Sequence, residues 1–129
     1  MLKAAALALV SIGAIPALGW AEAALRLGAK DHGRAVTVRL GAEFTLALRQ
    51  NVTTGYSWQV VSHGEPAVEQ VGEGAFVADS SLHGAGGTVT FRFRAVAAGR
   101  GEIRLVYRRP WEKETKPADE FSATIVVEK

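Results

Sequence analysis

The reactive side chains of this chain are few and scattered. His32, His63 and His83 are its only histidines, and it has no cysteine. The histidines lack the short His/Cys spacings of zinc ligand sets, so no metal site is expected. The densest group of nucleophile and base types is ADSSLHG, with Asp79, Ser80, Ser81 and His83. It invites comparison with a hydrolase. Asp and Ser are, however, ordinary turn residues, and a triad is defined by geometry rather than by adjacency. Nothing beside the cluster supplies a strained nucleophile turn or oxyanion donors. The sequence therefore offers no catalytic residue, and no cofactor is expected.

Three other stretches carry recognition chemistry instead. The first is NVTTGYSW, Asn51 to Trp58. Thr53 and Thr54 are small, stiff at χ1 and able both to donate and to accept. Asn51 and Gly55 flank them as turn residues, and Tyr56 opens an aromatic run. Asn51-Val52-Thr53 also matches the glycosylation sequon, but a glycan there would hide the loop. The second stretch is HGAGGT, in which Gly84, Gly86 and Gly87 allow positive φ and close approach by another main chain. A phosphate cradle would need a helix after the loop, whereas a strand follows; the plain alternative is a flexible turn. The third is RRPWE. Pro110 ends a strand and leaves Trp111 in a loop, either tucked onto the core or offered to a partner. Arg109 and Trp111 belong to residue types enriched in binding hot spots.

These loops need a frame, and beyond residue 35 the apolar period is two. AVTVRL (35–40) and EFTLAL (43–48) alternate on either side of a tight Gly41-Ala42 connection. YSWQVV (56–61) is aromatic and β-branched, and 68–71 and 75–78 are weaker strands. TVTFRFRA (88–95) sets Val89, Phe91 and Phe93 on one face and Arg92 and Arg94 on the other, so one face is buried and one is wet. A turn over Ala98–Gly101 leads into a strand over 103–107, and FSATIVV (121–127) closes the domain after a charged loop. About seven short strands with Gly-rich turns predict an all-β, immunoglobulin-like antiparallel β-sandwich. Trp58, on a middle strand, is expected to pack in the core. Counting reversals places the three loops at one end of the sandwich, where rigid scaffolds carry recognition.

Composition limits the remaining classes. Fifteen basic and 13 acidic residues give net +2, too little to point to nucleic acid. Lys3, an apolar run over 4–18 and Ala21-Glu22-Ala23 make a signal peptide over residues 1–23, shorter and more interrupted than a membrane span. The mature part, 24–129, is long enough for one core. It is expected to be a secreted or periplasmic monomer, off the membrane once cleaved, and it lacks the disulfides common in exported domains.

Taken in order, the three motifs resemble those of the chagasin-type inhibitors of papain-like cysteine peptidases, which carry an NPTTG loop, a G-x-G-G loop and an RPW loop. The matching residues are Asn51, Thr53, Thr54, Gly55 and Tyr56, then Gly84, Gly86 and Gly87, then Arg109, Pro110 and Trp111. The resemblance implies a reversible, non-catalytic inhibitor that inserts three loops into the cleft of a papain-like cysteine peptidase. It places Thr53 and Thr54 at the catalytic cysteine, with Thr53 closer, the glycine loop on the non-primed side and Trp111 on the primed side. Val52 departs from the pattern, standing where the family has proline. The alternative is a generic immunoglobulin-like protein-binding or adhesion module that uses the same loops for another ligand.

Overall fold

A computed structural model describes residues 25–82 and 84–129. The signal peptide expected over 1–23 and His83 lie outside the described residues. The strands are β1 (Arg26–Leu27), β2 (Ala35–Arg39), β3 (Glu43–Gln50), β4 (Ser57–His63), β5 (Val68–Gln70), β6 (Ala75–Ala78), β7 (Gly87–Ala95), β8 (Gly99–Arg108) and β9 (Asp119–Glu128). One sheet runs β1-β3-β7, with β5 and β6 both on the far edge of β7. The other runs β2-β9-β8-β4. The result is the expected immunoglobulin-like sandwich. The described residues hold nine strands where about seven are expected. Part of the difference is that β5 and β6 pair with successive stretches of β7 and act as one interrupted strand. The rest is β1, a two-residue edge piece.

Two pairings are parallel rather than antiparallel, β1 with β3 and β2 with β9. The cause of the second is the Gly41-Ala42 corner. Gly41 takes φ +92, and the corner is pinned by Gly41 N donating to the Ala95 carbonyl (2.8 Å) and Ala95 N to that of Ala42 (2.9 Å). The chain thus crosses between sheets instead of closing a hairpin. The predicted turn over 98–101 is also displaced, because β8 already begins at Gly99. Gly101 is glycine for a packing reason: a Cβ there would collide with the Gly64 carbonyl.

The alternation predicted for β7 is observed. Val89, Phe91 and Phe93 are buried, whereas Arg92 and Arg94 face outward and share Glu43. Between the sheets lie Phe44, Leu46, Phe93, Ile103, Leu105, Phe121 and Ile125. Phe44 and Phe93 stack with centroids 5.6 Å apart. Each such side chain contributes about 1.5–3 kcal/mol by leaving water, which is how the domain holds together without disulfides. Trp58 corrects its expectation in part. It packs against the edge of this core but is only partly buried.

Candidate functional site

The β3–β4, β6–β7 and β8–β9 connections carry the three motifs. The first is shaped by its own side chains. Asn51 caps a 3-10 turn over Val52–Thr54, accepting from Thr53 N (3.1 Å) and from the Thr53 hydroxyl (2.7 Å) on Oδ1. The Thr54 hydroxyl donates to the Asn51 carbonyl (2.7 Å). Gly55 ends the turn at φ +84, a left-handed conformation that a Cβ disfavours. Val52, Thr53 and Thr54 remain exposed.

The third loop leans on the first. Arg109 Nε donates to the Thr54 carbonyl (3.1 Å), and its guanidinium lies 4.6 Å over the Tyr56 ring. Tyr56 stacks on Tyr107 at 5.4 Å, and Tyr107 meets Trp58 at 5.0 Å. Four side chains therefore run as a column from the loop tip to the edge of the core. The Tyr107 hydroxyl accepts from Asn51 N (3.1 Å), and the Trp58 indole donates to the Arg49 carbonyl (2.8 Å). Both bonds tie the column to the start of the threonine loop. From below, Arg108 Nη1 donates to the Lys113 carbonyl (2.7 Å). Trp111 is 69% exposed, which decides between the two readings of this residue: it is offered to solvent.

The glycine loop spans residues 79–86 between β6 and β7, and Asp79 N donates to the Gly86 carbonyl at its base (2.9 Å). Gly84 is exposed at φ +85. Gly87 is different, being buried at the start of β7, where a Cβ would strike the Val77 carbonyl and the Phe76 ring. Gly87 pairs with Gln50 of β3, so this loop stands directly beside the threonine loop. An open depression of about 480 Å³ lies between them, lined by Arg49, Asn51, Gly86, Tyr107 and Asp119 among others. All three motifs meet at one end of the sandwich.

The described members of the hydrolase cluster have other roles. Asp79 is ion-paired with Arg49, and Ser80 and Ser81 are exposed turn residues. Among the described residues no group of His, Asp or Glu could hold a metal ion.

Residues 37–125 match the family model described as Chagasin family peptidase inhibitor I42. The chain belongs to the chagasin family. Chagasin itself, from Trypanosoma cruzi, is 32% identical over 95 residues, a match covering 70% of this chain and 86% of chagasin. A cysteine protease inhibitor from Entamoeba histolytica superposes with a TM-score of 0.68 at 20% identity, over 80% of this chain and 93% of its own. PbICP-C, solved in complex with falcipain-2, gives 0.58 at 16% identity, over 81% and 99%. The chain is thus a family peptidase inhibitor and not an enzyme.

Sequence reasoning missed Tyr107, Gln50 and Arg49 and gave Arg108 of RRPWE no role; these four make up the foundation beneath the chagasin-family motifs. Gln50 is buried and its side-chain carbonyl accepts from Trp58 N (2.9 Å). The available signal was the neighbouring sequence: Gln50 immediately precedes Asn51, and Tyr107 stands two residues before Arg109.

Proposed function

We propose that the chain is a reversible inhibitor of papain-like cysteine peptidases that fills the active-site cleft with its three loops. Thr53 and Thr54 enter at the catalytic cysteine, the glycine loop lies along one side through its main chain, and Trp111 anchors the other. One observation carries this reading: Thr53, Thr54 and Trp111 are exposed at the same end on loops already locked together by Arg109, Tyr56 and Tyr107. Such pre-organisation spares the entropy of ordering loops on binding. Aromatic side chains give large contact area with few rotors. The complex of PbICP-C with falcipain-2 supports a peptidase as partner. The protein works as a monomer, exported to the periplasm or the exterior after loss of residues 1–23.

The test is a titration of papain activity with the chain from Ala24 onward, on a small fluorogenic peptide. Saturable, reversible inhibition with the inhibitor left uncut is the expected result. No inhibition by a folded sample at micromolar concentration would favour the adhesion-module alternative.

A further inference from the structure

Arg49 lies outside the three motifs, at the penultimate position of β3, yet its side chain reaches across to the β6–β7 hairpin. Nη1 donates to Asp79 Oδ1 (2.9 Å) and to the Thr88 hydroxyl (3.3 Å), while Nη2 donates to Asp79 Oδ2. Asp79 and Thr88 stand on the two stems of the glycine loop, so one guanidinium grips both. A Cβ on Gly86 would come within 3.3 Å of Arg49 Nη2, and glycine there keeps room for the grip. Meanwhile the Arg49 carbonyl holds the Trp58 indole under the threonine loop.

We propose that Arg49 is a positioning residue which, with Asp79, fixes the glycine loop at its working distance from the threonine loop. The proposal rests on the inhibitory reading above and deepens it. An ordinary exposed ion pair contributes little. This one differs in its two parallel N–H···O bonds, a geometry that adds specificity of placement as well as energy. It also links the end of β3, where the threonine loop begins, to the base of the glycine loop. The acidic member of the apparent hydrolase cluster thereby acquires a structural task in recognition.

A double-mutant cycle tests it, using Arg49→Gln, Asp79→Asn and the pair together. Three readouts are taken: the papain inhibition constant, amide hydrogen exchange over residues 80–86, and the melting temperature. Each single variant should weaken inhibition about two- to five-fold, the range of an exposed but well-oriented pair. Exchange in the loop should quicken with little change in melting. The double variant should be no worse than Arg49→Gln alone, because losing Asp79 adds nothing once the guanidinium that grips it is gone. Weaker inhibition by Arg49→Gln alone, with Asp79→Asn silent, would overturn the proposal and make Arg49 a direct peptidase contact. Additive losses would overturn it as well. If the unaltered protein fails to inhibit papain, the inhibitory reading falls and takes the recognition role of the clamp with it. The exchange data, which need no peptidase, still decide whether the clamp holds the loop.

Discussion

The indole of Trp111 lies over Gly55, with its Cη2 only 2.9 Å from the place a Cβ on that glycine would occupy. The tip of one recognition loop thus rests on the hinge of another, and Gly55 is needed twice, for its φ of +84 and for the space it leaves. Gly55→Ala should cost about 1–2 kcal/mol of stability from the left-handed backbone alone. It should also push the indole off its seat. Urea unfolding combined with papain titration checks both. Inhibition that falls while stability holds would show that the indole seat, rather than the backbone, is the sensitive element.

Trp111→Ala separates binding from folding. With 69% of its surface exposed, Trp111 contributes little to the core, and the melting temperature should stay within a degree or two. A hot-spot indole is worth about 2 kcal/mol or more, so inhibition should weaken by well over tenfold. A large drop in melting temperature with inhibition retained would count against the anchor role.

Much of this was legible in the sequence. Strict alternation in TVTFRFRA set the faces of β7 because a period of two has one buried solution. The Pro110 break and the glycine run located two of the loops. What stayed hidden depends on contacts distant in sequence. Tyr107 and Trp58 are 49 residues apart and meet only because β8 pairs with β4. Arg49 and Asp79 join across β7, which lies between β3 and β6. The parallel β2–β9 pairing was equally out of reach, since Gly41-Ala42 would serve a hairpin or a sheet crossing equally well. A place on a middle strand points Trp58 to the core, but its indole N–H needs an acceptor and finds one at the loop base instead.

Tyr107→Phe isolates a single hydroxyl in the column. The ring stacking on Tyr56 and Trp58 survives, while Asn51 N loses its acceptor. An intramolecular hydrogen bond of this kind contributes about 0.5–1.5 kcal/mol. Inhibition should weaken several-fold as the Asn51 cap loosens, with faster amide exchange at Asn51. An unchanged inhibition constant would mean that the cap on Thr53 holds the loop by itself.

The response to acid is set in part by carboxylates paired with arginine. The Glu43 carboxyl is held below its usual range by hydrogen bonds from Arg94 and then Arg92, and that of Asp79 by Arg49. A carboxylate with a depressed folded-state pKa stabilises the protein above its unfolded pKa, and the contribution is lost as pH falls through the folded value. The melting temperature should therefore be flat from neutrality down to about pH 5 and decline only below about pH 4, where ordinary carboxylates titrate. Arg94→Met should lower the plateau slightly and flatten the acid limb. A melting temperature that fell steadily from pH 7 would contradict this assignment.

Val52→Pro restores the proline that the other chagasin-type inhibitors are expected to carry, and the backbone is ready for it. Val52 is the first residue of the 3-10 turn, a position where a missing N–H costs nothing. The preceding Asn51 sits at φ −121, ψ 101, in the extended region that a following proline requires. The Val52 carbonyl, which accepts from Gly55 N (3.2 Å), is untouched. Fixing φ should remove about 0.4–1 kcal/mol of chain entropy from the unfolded state, and inhibition should tighten a few-fold through a stiffer threonine loop. The inhibition constants of the two proteins, measured side by side on papain, provide the check. An equal or larger constant for a folded Val52→Pro protein would show that the Asn51 cap and the Arg109 brace already make the loop as rigid as binding requires.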